Sequence, residues 1–268
     1  MSTSRTSSAR ELLDWYREMG VDDAVSDHPT DWFAQAPKPA APRRDTEQPR
    51  TNEPAPRSER PRLFADMPPS QAAMDARERA RSAADLDELK ELLTGFDGCP
   101  LKATAKNLCF ARGSAAARIM FIGEAPGRDE DLQGKPFVGR AGQLLDKMLA
   151  AIGLSEDDVY ITNIVYWRPP GNRTPTPQEV QACQPFLERQ IELIDPKVLV
   201  FLGGAAAKQM LATSDGIMRL RGKWRDFEAG DAKPRTIATL HPAYLLRNPV
   251  AKRLAWRDLL EIQAALED

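Results

Sequence analysis

Apolar residues in this chain gather in short continuous runs that alternate with helically spaced sets. Four runs, Arg118 to Gly123, Val159 to Val165, Val198 to Gly203 and Thr236 to Leu240, are mainly Ile, Val, Leu and Phe and are too short for helices. They read as strands buried on both faces. Between and after them the apolar spacing changes to three and four, over Gly142 to Ile152, Pro177 to Ile194, Gly204 to Ala212 and Pro249 to Leu266, which predicts helices. Such alternation implies an α/β fold, a mostly parallel sheet between two helical layers. Gln71 to Thr94 reads as one further helix, charged on its faces, with a late cluster of Leu86, Leu89, Leu92 and Leu93.

The pattern is lost toward the N-terminus. Ala36 to Arg62 is dense in proline and charge and nearly free of large apolar side chains, so it cannot offset the entropy of ordering and is expected to be a disordered tether. Before it, Leu12, Leu13, Trp15, Tyr16 and Met19 form an apolar stripe that ends at Gly20. The expected organisation is an amphipathic segment over 1–35, a linker over 36–69, a helix packed on the core over 70–94, and a catalytic domain over 95–268. The first of these segments is either a weakly helical tail or a docking segment for a protein partner.

Composition narrows the picture only slightly. The 268 residues carry a formal net charge of -2, which by itself neither requires nor excludes nucleic acid. Three unevenly spaced cysteines argue against a disulfide framework and for a reducing compartment. No run is apolar and long enough to span a bilayer, and the N-terminus lacks the apolar core of a signal peptide, so the expectation is a cytoplasmic protein without a membrane partner. It is also expected to be a monomer. With only two histidines, His28 and His241, any imidazole chemistry in the folded part falls on His241.

Candidate chemistry lies where the strands end. After the first, Gly123-Glu124-Ala125-Pro126-Gly127 turns sharply and projects an acid at a strand's carboxyl end, where open α/β sheets bind ligands. Phe137, apolar among polar neighbours, precedes the next helix. Asn163 closes the second strand, Arg168 and Arg173 flank a proline-glycine loop, and His241-Pro242-Ala243-Tyr244-Leu245-Leu246-Arg247 follows the last strand. Arg219, Arg221, Lys223 and Arg225 form a second basic cluster, suited either to phosphates or to a solvated surface.

These motifs, GEAPG with a following acid, GKPFVGRAGQLL, YITN with RPPGNR, and HPAYLLRNP, resemble in content and order those of the family 4 uracil-DNA glycosylases, over roughly Gly95 to Leu266. The resemblance implies a three-layer α/β/α fold with a four-stranded mostly parallel sheet. It also implies hydrolysis of the N-glycosidic bond of a deoxyuridine flipped out of single- or double-stranded DNA, leaving an abasic site. Gly123, Glu124, Ala125, Phe137, Asn163 and His241 would surround uracil. Phe137 would stack on the base, Asn163 would pair with its O4 and N3-H edge, and His241 would stabilise charge arriving at O2. Glu124 and Glu130 are the acids left to handle water, with Glu124 favoured near the base and Glu130 assisting.

DNA contacts are expected from Arg168, Arg173, Leu245, Leu246 and Arg247, the leucines acting as a wedge in the space left by the base. Alternatively, both leucines begin the core face of the last helix. Other readings are a glycosylase for hypoxanthine or xanthine, or a non-catalytic DNA-binding module associated with a polymerase. A Rossmann-type nucleotide site is disfavoured, since GEAPG does not supply G-x-G-x-x-G.

Members of this family typically hold a 4Fe-4S cluster on four cysteines, and here only half of that set remains. Cys99 and Cys183 match two ligand positions, while Phe96 and Trp167 stand at the other two. Cubane clusters need four thiolates, so the expectation is a protein with no cofactor, in which two aromatic rings fill the cluster's place.

Overall fold

A computed structural model describes residues 69–267, all within the second of two units, Met1–Ser58 and Glu59–Asp268, into which the chain divides. The amphipathic segment over 1–35, His28 and all but the last residue of the expected linker lie outside the described residues. The first helices are α1 (Pro69–Ser82) and α2 (Leu86–Thr94), followed by the strands β1 (Arg112–Gly113) and β2 (Ile119–Gly123). Next come α3 (Arg128–Gln133), α4 (Arg140–Ala150), β3 (Val159–Asn163), α5 (Pro177–Ile194) and β4 (Val198–Leu202). The chain continues through α6 (Gly204–Met210), α7 (Ile217–Leu220), β5 (Trp224–Asp226), β6 (Arg235–Thr239), α8 (Pro242–Arg247) and α9 (Lys252–Glu267).

The strands form one sheet of six in the order β1-β3-β2-β4-β6-β5. Its inner four are parallel, and β1 and β5 add short antiparallel edges that the expected four-stranded sheet did not include. Edges of two and three residues, half exposed, carry no periodicity for the sequence to display. Successive residues of the inner strands point to opposite faces, and both faces are covered. Met120, Ile122, Tyr160, Leu199 and Phe201 pack with residues of α1, α2, α5 and α6, while Ile119, Phe121, Ile161, Val198 and Val200 pack with Leu145 and Leu149 of α4 and Leu259 and Ile262 of α9. Burial on both sides is why these strands appear as continuous apolar runs.

The single helix expected over 71–94 is two. Asp85 is extended and its side chain accepts a hydrogen bond from Glu88 N-H, so a new helix is capped there. An N-cap of this kind is worth about 0.5–2 kcal/mol. Leu89 and Leu93 are buried from this second helix, as the leucine cluster required. α5 starts where expected because Thr176 caps it, Pro177 fills its first position, and Glu179 returns a bond to Thr176 N-H. The stretch from Pro242 to Arg247 is also helical, with His241 as its N-cap.

Candidate active site

The carboxyl ends of β2, β3 and β6 converge on a cleft of about 440 Å³. It is lined by Glu124 to Gly127, Glu130, Phe137, Ala141, Asn163, the loop from Pro169 to Thr174, and Ala243, Tyr244 and Arg247 of α8, with His241 at its cap. Motifs more than a hundred residues apart meet here because a parallel sheet delivers every strand's carboxyl end to one edge.

Asn163 ends β3 in register with Gly123. It is 1 % exposed, and neither amide atom has a hydrogen-bond partner among the described residues. Each such unsatisfied buried group costs about 1–3 kcal/mol, so a donor and an acceptor are held ready for a ligand at the expense of the free protein. Gly123 is required beside it: a Cβ there would collide with Asn163 Oδ1 and with the Phe137 ring.

Phe137 is buried, yet its φ is 55°, in the left-handed region where a non-glycine residue is strained by about 1–3 kcal/mol. Two features hold it. A Cβ at Gly142 would strike the Phe137 carbonyl, so only glycine permits this approach, and Glu130 Oε1 accepts hydrogen bonds from Val138 N-H at 3.0 Å and Gly139 N-H at 2.9 Å. Its ring lies 5.6 Å from the His241 ring, tilted by 30°.

His241 Nδ1 accepts the Ala243 N-H at 3.1 Å, so the neutral ring carries its proton on Nε2 as a donor. Burial, reinforced by the nearby Arg247 charge, lowers its pKa from 6.5 to about 4. The group presented near neutral pH is therefore a neutral imidazole. Gly203, at φ 92°, lies under it, and a Cβ there would come within 2.9 Å of His241 Cβ.

The two acids differ. Glu130 has its second oxygen on Gly127 N-H at 3.1 Å, so three backbone donors occupy its carboxylate and tie the acidic loop to the Phe137 loop. Glu124, half-buried, faces the cleft without such partners among the described residues. The sequence favours Glu124 for the water with Glu130 assisting, and in the structure the Glu130 carboxylate braces two loops.

The expected DNA contacts separate in the same way. Leu245 is 1 % exposed and packs with Leu240 and Ala255, which removes it from the wedge; it is a core residue of α8, whereas the alternative had placed both leucines on the core face of the last helix. Leu246 is exposed but does not line the cleft, whereas Arg247 is exposed and does. Arg173 grips Glu179 with two bonds at 2.6 and 2.8 Å, which raises its own pKa and lowers that of Glu179, so its guanidinium anchors the loop to α5. Arg168 bonds Asn172 within that loop at 2.7 Å. In the second basic cluster Arg221 is bound to Asp258 and the Leu254 carbonyl and is structural. Tyr244, Asn172 and Thr174 line the cleft without having been singled out; a helical reading of Pro242 to Arg247 would have turned Tyr244 and Arg247 to the same side.

Cys99 and Cys183 are fully buried with their Sγ atoms 3.7 Å apart, in the same core cluster as Phe96 and Trp167. Phe96 packs on Phe186 at 5.2 Å between centroids, and Trp167 sits edge-on to Tyr166 at 6.4 Å. Burial and the adjacent Cys99 raise the Cys183 thiol well above its ordinary pKa. Two buried cysteines with packed aromatic rings at the other two positions do not fit a four-thiolate cubane. Cys109 lies apart, its thiol donating to the Glu130 carbonyl at 3.1 Å and pushed up to about 12 by burial and by Asp131 and Glu130.

Residues 110–260 match the sequence profile of the uracil DNA glycosylase superfamily. Among curated proteins the chain is 46 % identical over 168 residues to the type-4 uracil-DNA glycosylase of Archaeoglobus fulgidus, covering 61 % of this chain and 84 % of that protein. It is 46 % identical over 164 residues to the type-4 enzyme of Thermotoga maritima, with the same shares covered. To that of Saccharolobus solfataricus it is 40 % identical over 187 residues, covering 68 % of this chain and 87 % of the relative. With its sheet, cleft and motif order, this chain belongs to the uracil-DNA glycosylase superfamily, on the type-4 branch.

Proposed function

We propose that this protein is a monofunctional uracil-DNA glycosylase of base-excision repair that needs no iron-sulfur cluster. The observation that carries the reading is the buried, unpartnered Asn163 amide in a cleft shared with a neutral histidine donor. Uracil offers an acceptor at O4 and a donor at N3, and one fixed amide satisfies both. Cytosine presents the opposite pattern and would leave the amide mispaired in a dry site.

The flipped base stacks on Phe137, whose strained backbone fixes the ring. As the glycosidic bond breaks, negative charge collects on the base and positive charge on the sugar. His241 Nε2-H meets the charge at O2; because it is neutral beforehand, it adds no ground-state ion pair and its bond strengthens only as the base departs. Glu124 orients and deprotonates the attacking water and faces the cationic sugar. Glu130 assists through the loop it holds. Arg247 and Arg168 take phosphates, and Leu246 is the leucine left for the duplex.

Three free thiols suit the reducing cytoplasm proposed as its location, and among the described residues no helix is long and apolar enough to cross a membrane. The test is incubation of the purified protein with single- and double-stranded oligonucleotides carrying uracil, with hypoxanthine and xanthine substrates alongside. Free uracil and a strand cut only by alkali or heat are expected. Folded protein that releases no base from either uracil substrate refutes the function.

A further inference from the structure

The short helix α8 turns its residues to different surroundings, and the side facing the cleft carries an aromatic ring that the chemistry above does not use. Leu245 is buried in the core and Leu246 is exposed, while Tyr244 and Arg247, adjacent on the helix, line the cleft. Tyr244 is 38 % exposed and lies one helical turn from the His241 cap. The exposed residues Asn172, Arg173 and Thr174 line the same cleft. A strand whose uracil has entered the cleft leaves its neighbouring bases outside it, against the exposed residues of the lining. From α8 the exposed aromatic and cationic side chains lining that cleft are Tyr244 and Arg247.

We propose that Tyr244 is a stacking platform for the base next to the extruded uracil, and that it thereby secures single-stranded substrates. This rests on the uracil-DNA reading of the cleft. In a duplex the neighbouring base already stacks on its own strand and gains little from a protein ring. In a single strand it has lost part of that stacking, and an aromatic face returns about 1–3 kcal/mol per base. A ring face is indifferent to base identity, so the platform adds affinity without sequence preference.

The experiment uses the full chain and Tyr244→Ala, Tyr244→Leu and Tyr244→Phe variants, with uracil release measured on one oligonucleotide as a single strand, as a duplex, and as a single strand whose nucleotides flanking the uracil lack bases. The expected result for Tyr244→Ala and Tyr244→Leu is KM raised about 5- to 150-fold on the single strand, the equivalent of about 1–3 kcal/mol. A much smaller change is expected on the duplex and none when the flanking bases are missing. Tyr244→Phe, which keeps the ring, recovers the loss. An unchanged KM on the single strand, a loss that persists without flanking bases, or a Phe variant as impaired as Ala overturns the platform. Failure of the unaltered protein to release uracil from any substrate overturns the function instead, so the two failures are distinguishable.

Discussion

Replacing Asn163 by leucine should make the protein more stable and nearly inactive. Leucine has the branched skeleton of asparagine but no polar atoms. Both amide atoms are buried without a partner among the described residues, each at about 1–3 kcal/mol, and an apolar group of the same shape removes that cost. Part of the gain is spent on fitting larger methyl groups beside Gly123 and the Phe137 ring, where space is tight. A net stabilisation of about 1–2 kcal/mol remains, which in a domain of this size raises Tm by about 2–8 °C. The same change deletes the groups that pair with uracil, and kcat/KM should fall by about 10²-fold or more. Thermal denaturation and single-turnover release of uracil are measured on one preparation. A leucine variant less stable than wild type refutes the orphaned amide, and one that excises uracil at the wild-type rate refutes its role in reading the base. The predicted opposition of stability and activity is the mark of a binding group held unsatisfied for its ligand.

His241→Ala should retain DNA binding and lose about 10²–10³-fold in single-turnover rate, the scale of one donor aimed at developing charge; a wild-type rate removes His241 from the leaving group. Nitrogen NMR of the free protein should show the Nε2-H tautomer and a titration midpoint near 4. Because the unfolded chain takes up this proton near 6.5 and the folded chain only near 4, the His241 contribution to stability should fall as pH drops through that window and be level outside it; a midpoint near 6.5 contradicts the buried neutral ring. Glu130→Gln puts an amide NH2 or a weaker acceptor against three N-H groups, so activity should fall while the pH profile keeps its wild-type limbs, whereas a vanished limb would make Glu130 the base. Anaerobically purified protein should be colourless and active without iron, and Trp167→Ala should destabilise by about 3–5 kcal/mol; near four irons per chain with broad visible absorbance would show ligands outside those considered.

The sequence by itself determined the four parallel strands, their order of appearance and the longer helices between them, but not the short α3 and α7. Those strands are buried on both faces and those helices on one, and each pattern is written locally in apolar spacing. It also determined which residue types stand at the strand ends, since a parallel sheet brings Glu124, Asn163 and His241 to one edge whatever the details of packing. Tertiary structure decided everything that depends on direction and partner. Glu124 and Glu130 are the same residue type six positions apart, and only the closing of the Phe137 loop onto Glu130 turned one into a brace and left the other facing the cleft. Leu245 and Leu246 are identical neighbours that differ because α8 turns one onto Leu240 and Ala255 and the other into solvent. Arg173 read as a phosphate contact until Glu179, brought up by the capping of α5, claimed its guanidinium. The orphaned state of Asn163 is likewise invisible in the chain, because a missing hydrogen bond is a property of all the surrounding groups at once and belongs to no local pattern.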